Sequence, residues 1–188
     1  MITVFDTETT GLLRDGMSAA EQPHLLQLSA SLIDGQKRRR GRLTTLMRPD
    51  GWSIEPQAEL VHGIAERTAH RAGIPPVPAL AVLRFFVENA SRLVAHNFEY
   101  DWEIVNAALK RAGSDGAWWR EARQKRFCTM EAATPILNLP GEFGAKYPSL
   151  EDAHRFFFPE SPYESRHDAE EDADATARVY FAISERAA

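Results

Sequence analysis

The chain has 188 residues, of which 44% are hydrophobic and 26% charged, the balance of an ordinary soluble globular protein. Its 22 Lys and Arg against 27 Asp and Glu give a formal net charge of −5, which excludes a polycationic nucleic-acid coat. The single cysteine, Cys128, excludes an intramolecular disulfide framework and a multi-cysteine zinc site. At this length we expect one domain, residues 1–188, whose core is stabilised by packing alone.

The N-terminal sequence indicates a cytoplasmic protein. Met1 leads directly into a short apolar segment that ends at Asp6, without the basic region and long apolar run of a signal peptide. No uninterrupted apolar run has the length of a membrane span. We therefore expect a soluble chain in a reducing compartment, where Cys128 would stay a free thiol.

The first part of the chain predicts a β-meander. Residues 2–6 are β-branched and aromatic and precede a Thr-Thr-Gly turn, which favours a short buried strand. Alternating apolar residues predict a second strand over 25–33, and the pattern over 42–47 suggests a third.

The rest of the chain predicts strands that alternate with helices. The predicted strands are 92–95 and 127–128, and the predicted helices are about 79–89, 98–112, 130–137 and 169–184, with one more helix capped by Ser149 after a Pro/Gly-rich loop over 139–148. This order indicates an α/β fold with a mixed five-stranded sheet covered by helices.

Two carboxylates stand at the end of the first predicted strand. Asp6 and Glu8 are two residues apart, so both lie on one face if the strand continues through them. Like charges this close raise each other's pKa unless a cation holds them, and Mg²⁺ is the hard, oxygen-seeking ion that suits such a pair. The alternative is a pair of exposed acids in a turn.

Two further acids fall on the apolar faces of predicted helices. Apolar residues lie three, four, seven and eleven positions after Asp101, and Val179 and Ile183 lie seven and eleven positions after Asp172. A buried carboxylate without a partner is costly, so each needs one. An arginine would serve each acid separately, whereas the four acids together favour a shared metal site.

His167 precedes Asp172 by five residues, which would separate the two side chains by about 140° on a continuous helix. We therefore expect His167 in the loop before the helix, where Asp168 caps the helix and Glu171 completes a capping box. This arrangement lets His167 point into the same site as Asp172. The alternative is an ordinary surface histidine.

Three motifs follow one another along the chain, namely Asp6-Thr7-Glu8-Thr9-Thr10-Gly11, His96-Asn97-Phe98 with Asp101, and His167 with Asp172. Together they resemble the DnaQ-like DEDDh 3′-to-5′ exonucleases, which implies a ribonuclease-H-like fold. A fourth segment, Val61-His62-Gly63-Ile64, is similar to a segment of polymerase proofreading subunits. The resemblance extends from residue 1 to about residue 183.

The resemblance implies a site for two divalent ions, Mg²⁺ or Mn²⁺, held by Asp6, Glu8, Asp101 and Asp172, with Asp6 between the ions. One ion would lower the pKa of the attacking water, and the other would stabilise the leaving 3′-oxygen. The resemblance makes His167 the general base, and an imidazole with an unperturbed pKa of about 6.5 accepts a proton at neutral pH.

The resemblance also implies five substrate contacts, which are Thr7, Leu12, His62, Asn97 and Phe98. The backbone at Thr7 would hold the terminal 3′-hydroxyl, and Leu12 and Phe98 would lie against the last bases, where stacking tolerates any base. His62 and Asn97 are candidate phosphate or sugar contacts. Two alternatives stay open, namely that Phe98 belongs to the core and that Asn97 only caps its helix.

Three features depart from the pattern of the family. The connection 12–22 is long and is either a lid or a surface loop. Gln27 stands where an acidic residue is expected, and the sequence offers no interpretation of it. The chain ends soon after the last motif, which favours a free-standing nuclease over a subunit tethered to a polymerase, while a homodimer stays open.

Basic and aromatic clusters have two interpretations each. Five of the six residues from Lys37 to Arg42 are basic, and they lie at the predicted turn between the second and third strands. They would neutralise phosphates and make binding salt dependent, or form a solvated hairpin tip, which we favour. Trp118 and Trp119 form either a stacking platform or part of the core, and we favour the core.

The sequence as a whole predicts a metal-dependent 3′-to-5′ exonuclease that hydrolyses terminal phosphodiesters of single-stranded DNA or RNA and releases nucleoside 5′-monophosphates. Its substrate would be a nucleic acid with a free 3′ end. The alternative is a polymerase-associated proofreading or nucleic-acid-binding subunit whose activity depends on a partner. DNA and RNA both stay open, because no residue is assigned to the 2′-hydroxyl.

Overall fold

A mixed five-stranded sheet flanked by helices organises the computed structural model, which describes residues 1–161 and 163–186. The elements are β1 (Ile2–Thr9), β2 (Leu25–Ile33), β3 (Arg39–Leu46), α1 (Pro56–His62), α2 (Glu66–Ala72), α3 (Pro76–Glu88), β4 (Arg92–Ala95), α4 (Phe98–Arg111), α5 (Ala117–Ala122), β5 (Arg126–Cys128), α6 (Thr129–Leu137), β6 (Pro140–Gly141), β7 (Gly144–Ala145), α7 (Leu150–Phe157) and α8 (Ala169–Arg186). The predicted fold class is therefore confirmed.

The strand order β3-β2-β1-β4-β5 places β1 at the centre of the sheet. β2 pairs antiparallel with both β1 and β3, as in the predicted meander. β4 pairs parallel with β1, and β5 pairs parallel with β4. β1 is longer than the predicted strand 2–6, because its backbone pairs with β2 as far as Thr9 across a register shift after Glu8. This extension places Glu8, in addition to Asp6, on the central strand.

The two faces of the sheet bury different sets of side chains, as the alternation of a strand requires. On one face, Ile2 and Val4 pack with Val94 of β4 and Ala177 of α8. On the other face, Phe5 packs with residues of β2, α3, α4 and α5 in the larger core. The C-terminal end of β1 therefore lies between α8 on one side and α4 on the other.

Four aromatic side chains form the centre of the larger core. Trp119 is fully buried, stacks on Trp102 with ring centroids 4.3 Å apart, and donates its indole N–H to the carbonyl oxygen of Trp102. Phe98 is also fully buried, between Phe5 and Trp102. The preferred interpretation of Trp119 as core is confirmed. The expected base contact of Phe98 is wrong for this structure, since a side chain with no exposed surface cannot touch a base.

The long predicted helices agree with α3, α4, α6 and α8 to within a few residues. Ser149 caps α7 as predicted, and it forms a capping box in which its hydroxyl accepts from the Asp152 N–H and the Asp152 carboxylate accepts from the Ser149 N–H. The short helices α1, α2 and α5 were not predicted, because six or seven residues show too little periodicity. The predicted loop 139–148 contains the β6–β7 hairpin.

The basic run at the β2–β3 turn pairs with acids of the same chain. Arg39 and Arg42 contact Asp174 of α8, and Lys37 contacts Glu185 near the end of that helix. Arg38 and Arg40 contact Asp34 at the start of the turn. The basic run is therefore a hairpin turn whose charges pair with acids of the same chain. This agrees better with the favoured interpretation, a solvated hairpin tip, than with a phosphate-binding surface.

Among the helices of the described ranges, none is both long enough and apolar enough to cross a membrane.

Replacing Trp119 by alanine should destabilise the core. We expect Trp119→Ala to lower the free energy of unfolding by about 3–5 kcal/mol, because it removes a fully buried ring and its packing on Trp102. Trp118→Ala, which truncates a half-buried ring beside it, is the matched control and should have a clearly smaller effect. Equal effects of the two variants in urea unfolding would contradict this account of the core.

Candidate active site

The end of β1 carries two acids at the centre of the sheet. Asp6 and Glu8 continue the face of β1 that Ile2 and Val4 occupy nearer its start, because side chains alternate along a strand. The sequence predicted that the two acids share one face if the strand continues through them. The strand does continue through both residues. Glu8 is only 9% exposed, so the alternative of two exposed turn acids does not hold.

α4 contributes Asp101 from the other side of the strand end. The left-handed backbone of Asn97 (φ 60°) turns the chain from β4 into α4, so the first turn of this helix meets the end of β1. Asp101 is 3% exposed, and its Oδ1 accepts hydrogen bonds from the Thr7 N–H at 3.0 Å and the Thr7 hydroxyl at 2.7 Å. The Asn97 side chain makes no capping bond to α4, so the alternative role of a side-chain cap is not observed.

α8 contributes Asp172 from the opposite face of the sheet. Asp172 is 8% exposed, in agreement with the phase of the apolar residues along its helix. The Tyr163 hydroxyl donates a short hydrogen bond to it, and the Ser165 hydroxyl lies 3.3 Å from its Oδ2. These two residues were not predicted, because the loop before α8 has no periodicity that marks them.

The protein environment disfavours negative charge on all four carboxyls. Burial, together with the charges of Asp172 and Asp101, raises the pKa of Glu8 to about 9. Burial also raises the pKa of Asp6, again with the charges of Asp101 and Asp172. The pKa of Asp101 rises to about 7 through burial, although its hydrogen bonds from Thr7 lower it, and burial raises the pKa of Asp172. The cluster therefore needs protons or cations to be stable.

The described residues contain no Lys or Arg in an ion pair with any of these four acids, so pairing with arginine, the alternative considered from the sequence, is not observed. The donors are carboxylate oxygens, which suit a hard divalent cation. Ligand atoms of Glu8, His167 and Asp172 lie within 4.8 Å of one another. The acidic cluster with its histidine thus fits a metal ion.

His167 lies in the loop before α8, as expected from its distance to Asp172 along the sequence. It is exposed and has a left-handed backbone (φ 51°), and its N–H donates to the Ser165 hydroxyl at 3.2 Å. Asp168 begins the helix, with Oδ1 accepting from the N–H groups of Glu170 at 3.0 Å and Glu171 at 3.2 Å. The predicted N-cap is confirmed, and it leaves the His167 ring at the mouth of the cluster.

A cavity of about 870 Å³ opens over the acids. Its lining includes Asp6, Thr7, Glu8, Leu12, His62, Asn97, Asp101, His167 and Asp172. The structure thus brings together nine of the ten site residues predicted from the sequence, and Phe98 is the exception. Leu12 is 79% exposed at the rim. His96, the first residue of the second motif, holds the cavity wall, because its ring bonds to the Thr129 hydroxyl and the Pro148 carbonyl.

The connection 12–22 forms part of the cavity wall near Leu12. Arg14 makes a 2.9 Å ion pair with Glu55 beyond β3, and its backbone N–H and carbonyl both bond to the Gln22 side chain. Gly11 lies directly against Glu55, where an added Cβ would come within 2.6 Å of the carboxyl carbon. These contacts describe a loop tied to the body of the protein in this structure.

His62 supplies a buried hydrogen-bond donor beside this cavity. Its Nδ1 accepts from the Ile64 N–H at 3.0 Å, so the neutral ring carries its proton on Nε2. Burial lowers the pKa of His62, which favours that neutral form. The ring is 8% exposed, and Nε2 forms no hydrogen bond of standard geometry with any described residue, although the backbone of Thr9 lies close enough to raise the pKa of the ring.

Without divalent ions, the stability of the protein should fall as pH rises from about 7 to about 9, above the range in which histidines whose pKa values are lowered by burial contribute the opposite trend. The folded state binds protons more tightly than the unfolded chain, since the pKa values of Asp101 and Glu8 rise to about 7 and about 9, so deprotonation favours unfolding. Melting temperatures in EDTA across this range measure the effect. Glu8→Gln should flatten the slope, whereas Glu121→Gln on the exposed side of α5 should not. A melting temperature that rises over this range in EDTA would contradict the account.

Comparison with known proteins relates the chain to exonucleases. The RNase_T family model, described as Exonuclease, matches residues 3–180. A Mycobacterium tuberculosis protein named as a bifunctional exonuclease/endonuclease is 31% identical over 183 residues, which are 97% of this chain and 26% of that protein. This chain therefore spans about a quarter of the length of that relative.

Solved structures of E. coli exonuclease I share the fold. The complex with a dA16 oligonucleotide has a TM-score of 0.74 and 20% sequence identity, over 98% of this chain and 40% of that chain. The zinc-ion-bound complex of exonuclease I with single-stranded DNA has the same values. Since the family model covers most of the chain and the sheet is that of the ribonuclease-H-like fold, the protein belongs to the DnaQ-like exonuclease family.

Proposed function

We propose that residues 1–188 form one exonuclease domain that removes nucleotides from the 3′ end of single-stranded DNA or RNA and releases nucleoside 5′-monophosphates. The observation that carries the proposal is the cluster of Asp6, Glu8, Asp101 and Asp172, from β1, α4 and α8, beside His167 at an open cavity. Three separate elements converge on this cluster, whose acids are stable together only with protons or cations. Membership of the exonuclease family gives the chemistry that such a cluster performs.

The four carboxylates are the residues that would hold two divalent ions, Mg²⁺ or Mn²⁺. Bound there, such ions lower the pKa of a water molecule and stabilise the charge that develops on the leaving 3′-oxygen. Asp101 would be held in place for this role by its two hydrogen bonds from Thr7. Asp172 would be held by the hydroxyls of Tyr163 and Ser165.

His167 would act as the general base that takes a proton from the attacking water. Its ring lies beside Glu8 and Asp172, at the exposed edge of the cluster where water has access. The cap formed by Asp168 and the bond from its own N–H to Ser165 limit where the ring stands. General base catalysis of this kind contributes about 10²–10⁴-fold to a rate.

The cavity would receive the last nucleotide of the strand. Thr7 and Asn97 would contact the sugar or the 3′-hydroxyl, and Leu12 at the rim would lie against a base. The Nε2–H of His62 forms no hydrogen bond of standard geometry with a described residue, so it would be able to donate to a phosphate or sugar oxygen. E. coli exonuclease I, whose fold matches, was solved with oligonucleotides and with single-stranded DNA, which supports a single strand as the substrate here.

A 5′-labelled single strand should be shortened from its 3′ end. We expect a ladder of products with Mg²⁺ or Mn²⁺ and none with EDTA, and we expect His167→Ala to lower kcat by about 10²–10⁴-fold because it removes the proton acceptor. Matched DNA and RNA strands identify the preferred nucleic acid. Glu121→Gln is the control for expression and handling.

The position of the label in the products decides the direction of cleavage. Release of the labelled 5′ nucleotide first would contradict the 3′-to-5′ assignment. Intact strands in every lane would instead favour a subunit whose activity depends on a partner, and a His167→Ala variant as fast as the parent would remove the general base from the proposal.

Divalent ions should stabilise the folded protein. At an ion concentration about 100 times the Kd, one site adds about 2.7 kcal/mol, which raises the melting temperature by roughly 5–10 °C for a chain of this size. Asp6→Ala should lose most of this increase, since Asp6 is one of the four clustered carboxylates that would hold the ions. Differential scanning fluorimetry with Mg²⁺, Mn²⁺ and EDTA measures the shift. A parent protein whose melting temperature changes with neither ion would count against the metal site.

A further inference from the structure

Gln27 connects the strand opposite Glu8 to the start of α8. It lies on β2, directly across the ladder from Glu8, and is 7% exposed. Its Nε2 donates to Oδ2 of Asp168 at 3.1 Å, and its Oε1 accepts from the N–H of Ala169 at 3.0 Å. Both ends of the buried amide are therefore used, and a side chain with only donors or only acceptors cannot make both bonds.

We propose that Gln27 is a positioning residue that sets the place of His167 and Asp172 relative to Glu8. The two residues that Gln27 contacts, Asp168 and Ala169, directly follow His167 and begin the helix that carries Asp172. The inference rests on the proposed function, because it assigns Gln27 a role in that same site.

The bond pattern explains how a residue outside the cavity lining would act on the site. Oδ1 of Asp168 caps the helix, while Oδ2 of the same carboxylate accepts from Gln27. A single carboxylate thus holds both the first turn of α8 and the strand next to Glu8. Without the amide, the carboxylate would no longer connect the first turn of α8 to β2, so His167 and Asp172 would be free to move. A misplacement of about 1 Å in reacting groups can lower a rate by about 10²-fold.

Within the described residues, the other side-chain polar contacts between the sheet and the first turns of α8 are exposed ion pairs. Arg42 contacts Glu170 and Asp174, whose side chains are 37% and 40% exposed, so water and salt weaken these pairs. The hydrogen bonds of Gln27 are buried, and its amide carries no net charge. Among these contacts, the hydrogen bonds of the Gln27 amide are therefore the ones that water replaces least easily.

An exchange of hydrogen-bonding groups tests the inference. Gln27→Glu replaces the donor that faces Asp168 with a carboxylate oxygen, so two acceptors would meet. Asp168→Asn alone would place an amide donor against the Nε2 donor of Gln27. In the double variant, the new amide at position 168 donates to the new carboxylate at position 27, and the bonds from Ala169, Glu170 and Glu171 are kept.

Two measurements separate positioning from general stability. One is the Mg²⁺ concentration at the midpoint of the rise in melting temperature, and the other is the division of the kinetic effect between kcat and KM on a labelled single strand. We expect Gln27→Glu to raise the Mg²⁺ midpoint at least threefold and to lower kcat at least tenfold with KM within about threefold of the parent. The double variant should recover both values to within about threefold.

The outcomes distinguish this inference from the function on which it rests. A parent protein that neither cleaves nor responds to metal would overturn the proposed function itself. A parent that does both, with Gln27→Glu matching it in midpoint and kcat, would overturn only the role of Gln27. The same holds if the double variant is no better than the single variants. If Gln27→Glu does not fold, Gln27→Met, which removes both bonds without adding charge, takes its place under the same criteria.

Discussion

The structure depends on keeping four carboxyl groups together in a place where negative charge is poorly solvated. Asp6, Glu8, Asp101 and Asp172 meet at the end of the central strand, and burial raises the pKa of each. Such a cluster opposes folding at neutral pH unless protons or cations reduce its charge. The rest of the molecule has to hold the acids in register against this repulsion.

The sheet and the aromatic core supply that rigidity. β1 is paired on both sides by β2 and β4, so the strand that carries Asp6 and Glu8 cannot shift without breaking two ladders. α4 is held against it by the buried rings of Phe98, Trp102 and Trp119. Apolar packing, which carries no charge itself, thus opposes the repulsion among the acids.

The start of α8 is held mainly by polar contacts, in contrast to α4. Gln27 and the cap at Asp168 fix its first turn, and the hydroxyls of Tyr163 and Ser165 reach Asp172 from the loop before it. This side of the site carries the exposed His167, where water would enter in the proposed reaction. Apolar packing there would exclude water. Hydrogen bonds therefore hold the start of α8, whereas packed aromatic rings hold α4.

The sequence by itself determined the order of the main strands and helices, and through helical phase it determined that Asp101 and Asp172 face inward, because periodicity is a local property that neighbouring residues share. Only the tertiary structure decided that Phe98 belongs to the core, that the basic run from Lys37 pairs with α8, and that Gln27 joins a strand to a helix 141 residues away. Each of these outcomes depends on which residues from distant parts of the chain meet, and no local pattern records that.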